Sequence, residues 1–565
     1  MLRTNFFKRK INKLKNTNQK DWWKQMKHIV GMNNESDSSL KHLVNIETDG
    51  NFGHFAQKCN SFFQSISSHL TALTEDNKYT LIHENIPDKY TIYPDMVERN
   101  LMKLKLGKSP GPDCIPAWIL RDFAPILCKP LAAIYNSSIR DGHVPHQWKM
   151  AFLSPIPKKN SPRSIEKDLR PISLTSIASK ELERFVINWL REHNDTINDK
   201  TQFGNRKGCS TTHLLVAITH KWLEALDTGK NFIQTVFIDY QKAFDNINHN
   251  ILLKKFEPCI PPFLLKWIAS FICQRSQCVK IGDITSEFVK INGGIPQGTL
   301  FGMEGFDKMI ADLEFLTSLF KFVDDSTATE CIPLDDPTKS SLQQDLIHLQ
   351  HWSRCNDMKV NPEKTKSMVI SFTKKQLNLP SLILNDVPIE QVKSAKLVGV
   401  HISNDLRWQT QVNHMCSKAS KRIFMLTHLR RSGASSEDLL HIYCAIIRPV
   451  LEYAAPVWST SLTRQQVDQL ESIQKRCIKI ISPGKDQQEA LHDLDLTTLE
   501  DRRTQLCKKF FLKIQQKDDI INDLLSENKQ LHYNLRTQQP YKIPHANTER
   551  YKNSFIPYAL RNYQF

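Results

Sequence analysis

The sequence predicts an α+β fold, and three observations carry that expectation. First, short and nearly continuous apolar runs end in aspartate: Phe232-Ile233-Gln234-Thr235-Val236-Phe237-Ile238 stops at Asp239, and Phe322-Val323 runs into Asp324-Asp325. Such runs read as buried strands whose ends carry a carboxylate out of the core into a cleft. Second, apolar residues recur at helical spacing around them, as in Leu342, Leu346, Leu349 and Trp352. Third, the pattern past about residue 380 is mostly helical. There Val467, Leu470, Ile473, Cys477 and Ile480 make one apolar stripe beside Lys475, Arg476 and Lys479.

Taken in order, residues 1–95 are polar and basic, with aromatic clusters at Trp22-Trp23 and at Phe52, Phe55, Phe62 and Phe63; short helices fit this pattern. Met96 to Leu106 reads as a helix stopped by the Pro/Gly turn Gly107-Lys108-Ser109-Pro110-Gly111-Pro112-Asp113. A helix from Ala117 to Asn136 and a strand at Ala151–Pro155 follow, then a helix from about Ile177 to Glu192. Ser210, after the basic loop Gln202-Phe203-Gly204-Asn205-Arg206-Lys207-Gly208-Cys209, suits the N-cap of a helix running to Leu226. Helices are expected near Ile251–Phe256 and Pro262–Cys273, between the two carboxylate strands, and the last eighty residues read as polar and less periodic.

At 565 residues the chain exceeds what one core supports. Its 76 Lys+Arg against 59 Asp+Glu give a net charge of +17, which suits a polyanionic partner. No run of 18 apolar residues exists, so no membrane-spanning helix is expected. Thirteen cysteines without CxxC pairs read as reduced thiols of an intracellular protein, in the cytoplasm or nucleus. Cys273 and Cys278 lack the second pair a zinc site needs, and Gly204-Asn205-Arg206-Lys207-Gly208 fails the phosphate-loop pattern. The first twenty residues hold seven Lys/Arg and no acid, which reads as a nucleic-acid-facing arm.

An aspartate at one strand end and an aspartate pair in a tight turn are what two-metal phosphoryl transfer needs. Two divalent ions about 3.5–4 Å apart are held together only by clustered anionic oxygens. Magnesium, moreover, prefers a few carboxylates plus substrate phosphates to a protein cage. The pattern points to a template-dependent nucleic-acid polymerase, although an Asp-Asp turn alone is common because Asp suits turns. Neighbouring side chains on extended backbone face opposite ways, so Asp324 is expected as the ligand and Asp325 as a partial ligand or supporting anion. Asp245, six residues past Asp239, reads as loop support.

A longer series makes the resemblance specific. In order stand Gly107-Lys-Ser-Pro-Gly-Pro-Asp113, Pro155-Ile-Pro-Lys-Lys159, Leu169-Arg-Pro-Ile-Ser-Leu174, Gln202-Phe-Gly204 and Phe237-Ile-Asp-Tyr-Gln-Lys-Ala-Phe-Asp245. Gly294-Ile-Pro-Gln-Gly298, Phe322-Val-Asp-Asp325, Asn361-Pro-Glu-Lys-Thr365 and Lys396-Leu-Val-Gly-Val400 complete it. The series closely resembles the reverse transcriptase of non-LTR (LINE-type) retrotransposons over roughly residues 96–400, with a thumb-like helical part to about 480. Met303 stands where that family commonly has proline.

The resemblance implies a right-hand polymerase with fingers, a palm built on an antiparallel sheet, and a helical thumb. Its expected units are a basic N-terminal arm or linker (1–95), fingers and palm (96–375), a mainly helical thumb (376–482) and a polar C-terminal segment (483–565). It implies RNA-directed DNA synthesis with Mg²⁺, or Mn²⁺ in its place, on Asp239, Asp324 and Asp325, and no further metal. RNA template, DNA primer and dNTPs are the implied partners, and no membrane. Phe244 falls at the family's aromatic gate under the sugar and Gln297 borders the incoming nucleotide. Lys158 and Arg170 are candidates for the triphosphate, and Lys364 for an acid toward pyrophosphate. Full elements of this type carry an apurinic-type endonuclease that ninety-odd basic residues cannot contain, so a polymerase without that nuclease is expected. The rival readings are an inactive remnant that only binds nucleic acid, and an RNA-dependent RNA polymerase.

Overall fold

The computed structural model describes residues 22, 23, 26, 35–74, 86–159, 161–193, 199–373, 377, 379–526 and 541–563. The basic arm expected over the first twenty residues lies outside them. The strands that position the site are β1 (Met150–Pro157), β2 (Leu169–Leu174), β3 (Asn231–Ile238), β4 (Ser276–Ile281), β5 (Ser318–Phe322), β6 (Asp325–Pro333) and β7 (Lys366–Ile370). Among the helices are α1 (Glu35–Thr48), α2 (Phe52–Ser65), α3 (Ile177–Glu192), α4 (Thr211–Asp227), α5 (Leu300–Ile310), α6 (Leu342–Cys355), α7 (Gln409–Arg431), α8 (Arg464–Ile481), α9 (Leu499–Ile514) and α10 (Phe555–Asn562). This mixture of sheets and helices is the α+β architecture the sequence predicts.

The central sheet explains why β3 is apolar nearly throughout. β3 lies between β6 and β7, antiparallel to both, with β5 outside β6 and the short strand Glu390–Gln391 outside β7. Successive side chains of a strand alternate between faces, so both faces of β3 need apolar cover. Val236 and Ile238 join a core with Leu342, Leu346 and Leu349 of α6 and Phe306 and Met309 of α5. Ile233 joins a second core with Leu214, Ile218 and Trp222 of α4, against which Phe237 also packs. Trp222 pins α4 to the sheet by donating from Nε1 to Thr329 Oγ1 on β6 (2.7 Å).

A second sheet carries β1 between β2, antiparallel, and β4, parallel. Its apolar Leu153, Leu169 and Val279 pack against Leu43, Val44, Phe55, Ala56 and Cys59 of α1 and α2. The short helices expected before residue 95 are therefore part of this layer, and Asn51 caps α2 by accepting from the His54 N–H (3.0 Å).

Two expectations need correction. The helix expected over Ala117–Asn136 is two helices, Ala117–Asp122 and Ala124–Asp141. Pro125 lacks an N–H and suits a first turn, so a new helix starts there. The C-terminal stretch is also better ordered than its polarity suggests. Cys507, Phe511 and Ile514 of α9 and Ile556, Ala559 and Leu560 of α10 share one core with Met415, Ile423 and Leu426 of α7. That core is assembled from several helices, and α9 and α10 each add only a few apolar residues to it, too few to stand out in the sequence.

Among the described residues no helix is long and apolar enough to cross a membrane. None of the thirteen cysteines forms a disulfide.

Candidate active site

Strand register brings the three aspartates together. Ile238 pairs with Ser326, so one step further Asp239 stands opposite Asp325. Phe322 pairs with Asp325, which leaves Val323-Asp324 as the two-residue turn of the β5–β6 hairpin. Beyond β3 the chain is held to Asn361-Pro-Glu-Lys-Thr365: Asp239 O accepts from the Asn361 N–H (2.8 Å) and Asp239 N–H donates to Thr365 Oγ1 (3.3 Å). This places Lys364 Nζ 3.8 Å from Asp239 Oδ2.

The electrostatics are those of crowded anions. Desolvation pushes the Asp325 carboxyl up to about 6, and the Asp324 and Asp239 charges add to it. Desolvation likewise holds Asp324 above the usual carboxylate range, with Asp239 adding to the shift and Arg170 opposing it. Asp239 Oδ2 is buried and accepts no hydrogen bond. A site that concentrates negative charge, with Lys364 the cation nearest Asp239 Oδ2 and no hydrogen bond to that oxygen, suits a further cation. Among the described residues no three His, Cys, Asp or Glu side chains close on one point as a ready-made cage. An ion held by such an open set would have to complete its shell with water and substrate phosphates, as magnesium does.

Of the other expected residues, Arg170 is close enough for its charge to act on Asp324 and Asp325, and Lys158 on Asp245. Phe244 stacks on Phe306 with ring centroids 4.6 Å apart. Gln297 donates from Nε2 to both oxygens of Asp245 (3.1 and 3.2 Å), and its carbonyl accepts from the Ser173 N–H (2.7 Å). Asp245 thus supports the loop, as expected. Lys158 and Arg170 project from the β1–β2 hairpin, where Ile156 pairs with Arg170. Partial burial and the Lys364 and Arg170 charges hold the Lys158 ammonium below the usual lysine range.

Sequence reasoning gave no role to two residues at this site. Lys242 donates to Glu166 O (2.7 Å), sits 4.8 Å over the Phe62 ring of α2, and is depressed by burial and by Lys158. Its signal was available: it lies inside the strand-end motif between Asp239 and Asp245. Gln202 accepts at Oε1 from the Val323 and Gly204 N–H groups, and its only signal was membership of Gln202-Phe-Gly204.

Residues 156–402 match the family described as reverse transcriptase (RNA-dependent DNA polymerase). Over that stretch the chain is similar to a reverse transcriptase domain. Along 559 residues it is 26% identical to the "Probable RNA-directed DNA polymerase from transposon BS" of Drosophila melanogaster, covering 92% of this chain and 60% of that protein. Over 436 residues it is 25% identical to the "RNA-directed DNA polymerase from mobile element jockey" of the same organism, covering 74% of this chain and 47% of the relative. A third relative is the "Retrovirus-related Pol polyprotein from type-1 retrotransposable element R1" of Bradysia coprophila. It is 21% identical over 460 residues, 79% of this chain and 44% of that protein. The expected resemblance to non-LTR retrotransposon reverse transcriptases is borne out, and the chain spans 60% or less of the length of these relatives. The matched domain begins within β1, so α1, α2 and the helices up to Asp141 lie ahead of it.

Proposed function

We propose that the chain is an RNA-directed DNA polymerase of the non-LTR retrotransposon type, adding dNTPs to a primer 3′-hydroxyl on an RNA template. The observation that carries the reading is the register that sets Asp239 opposite Asp325 with Asp324 in the adjoining turn. Two Mg²⁺ ions, or Mn²⁺ in their place, held by these carboxylates would activate the 3′-hydroxyl and neutralise the leaving pyrophosphate. The chain's own residues do the positioning. Lys158, Arg170 and Lys242 form a basic rim that receives the triphosphate, Arg170 as a fork and the lysines as point charges. Phe244, backed by Phe306, packs against the sugar and leaves no room for a 2′-hydroxyl. Gln297, its amide held by Asp245, would border the nucleotide, and Lys364, 3.8 Å from Asp239 Oδ2, would be the acid toward pyrophosphate.

In this reading residues 96–375 are fingers and palm, 376–482 the thumb, and 1–95 and 483–565 flanking arm and tail. The disulfide-free cysteines support an intracellular setting, cytoplasm or nucleus.

The test is primer extension on poly(rA)/oligo(dT) with Mg²⁺. The parent chain is expected to incorporate dTTP, and Asp239→Ala or Asp324→Ala to abolish incorporation while leaving template–primer binding intact. Activity that persists in either variant removes the metal assignment. Binding without incorporation by the parent identifies a remnant, and preferential use of rNTPs identifies an RNA polymerase.

A further inference from the structure

Residues 201–203 form an extra edge on the catalytic hairpin. Lys321 N–H donates to Thr201 O (2.8 Å) and Phe203 N–H donates to Lys321 O (2.8 Å), so the segment runs parallel to β5. Beneath it the buried Lys321 ammonium binds Asp199 Oδ2, Ile310 O and Leu313 O, each at 2.8 Å. At the far end of this strap the Gln202 side chain, 3% exposed, reaches the turn itself. Its Oε1 accepts from the Val323 N–H (2.9 Å) and the Gly204 N–H (2.8 Å), while Nε2 has no partner. The amide is therefore held there through its oxygen.

What it holds is strained. Val323 has φ +57°, a region that a β-branched residue enters only when its surroundings impose it. Gly204 presses against the same turn, since a Cβ on it would come within 2.7 Å of both Val323 N and Cγ2. Release of the Val323 N–H would let that peptide rotate toward relaxed values, and the next residue along is Asp324.

We propose that Gln202 is the positioning residue of the catalytic turn: its carbonyl keeps Val323 in the left-handed region and thereby fixes the place of Asp324. The proposal rests on the polymerase reading of Asp324. Three variants of the full chain test it: Gln202→Met, which keeps length and removes the acceptor; Gly204→Ala, which pushes the turn; and Gln202→Met combined with Val323→Gly.

Primer extension is read beside hydrogen exchange at the Val323 amide. Gln202→Met and Gly204→Ala are expected to lower kcat about 10- to 100-fold, as a misplacement of about 1 Å does, with KM for dNTP little changed. Exchange at Val323 is expected to rise at least tenfold in Gln202→Met. Val323→Gly, free to adopt positive φ, is expected to return about threefold or more of the rate lost in Gln202→Met, whereas a merely structural loss would be worsened by it. Parent-like kcat and exchange in Gln202→Met overturn the proposal, as does a double variant slower than the single one. A parent chain that extends no primer overturns the polymerase reading instead, and the exchange measurement still decides whether Gln202 holds the turn.

Discussion

Phe244 is held by its neighbours. Stacked on Phe306 and half-buried against the main core, its ring cannot shift without disturbing α5. Phe244→Val is expected to lower discrimination against ribonucleotides about tenfold or more, measured as the ratio of kcat/KM for dTTP and UTP, and an unchanged ratio would remove the gate. Asp245 gives a pH signature. Desolvation raises its carboxyl to about 6, against the opposing pull of Gln297, Lys242 and Lys158. A carboxyl raised on folding stabilises the fold below its unfolded pKa near 4, and that contribution is lost as pH rises through about 6. The Tm of Asp245→Asn relative to the parent should therefore move in the variant's favour between pH 4 and pH 7; a constant difference would contradict the shift. Asp239, Asp324 and Asp325 were legible in the sequence because a carboxylate closing an apolar strand stands out locally. Gln202 was not, because its partner Val323 lies far away along the chain; Lys242 stands inside the strand-end motif, but its contact with Phe62 could not be read from it.

Helix α4 joins distant parts of the fold at both ends. At its start the Ser210 N–H donates to His213 Nδ1 (3.1 Å), so the expected N-terminus is in place, with a histidine supplying the acceptor. At its end the Asp227 carboxylate accepts from the N–H and Nδ2 of Asn547 and from the N–H and Oγ1 of Thr548, at 2.7–3.1 Å. Burial alone would raise this carboxyl, but the four donors together hold it below the usual range. Its contribution is thus present above about pH 4 and lost on acidification. Asp227→Ala is expected to cost about 1–2 kcal/mol at pH 7, since it removes a set of part-buried hydrogen bonds whose donors can turn to water, and to increase hydrogen exchange over 547–563 before the central sheet. Unaltered exchange there would show that the clamp is ornamental. Elements with one strong period were readable: α3 spans Ile177–Glu192 as the sequence predicts, and β3 ends at Ile238. The tail helices were not readable, because each buries only a few residues in a core that other helices complete.

At the scale of the molecule, the cores ignore the limits of the matched domain. Leu169 and Val279 are covered by α1 and α2, and Ile233, Met368 and Ile370 by a core reaching to Leu560. A fragment of residues 156–402 is therefore expected to expose these faces, to bind ANS and to unfold without a cooperative transition, whereas the full chain unfolds cooperatively. A sharp transition in the fragment would show that the matched region folds alone. The net charge of +17 sets a second global expectation: template–primer affinity should fall steeply and log-linearly with salt, irrespective of sequence. The stretch from Asp199 to Asp227 acquires a particular standing from what it touches. It underpins the catalytic hairpin at Gln202, and Thr211 Oγ1 meets the Tyr453 hydroxyl (2.9 Å), which also donates to Val398 O (2.7 Å). It also receives Lys513 at Gly208 O and closes on Asn547 and Thr548. A substitution that shifts this stretch to suit its contacts with Tyr453, Lys513 or Asn547 would be felt at the β5–β6 hairpin as well. Selection on the C-terminal packing and selection on the hairpin thus draw on one set of residues, and neither can wander far alone.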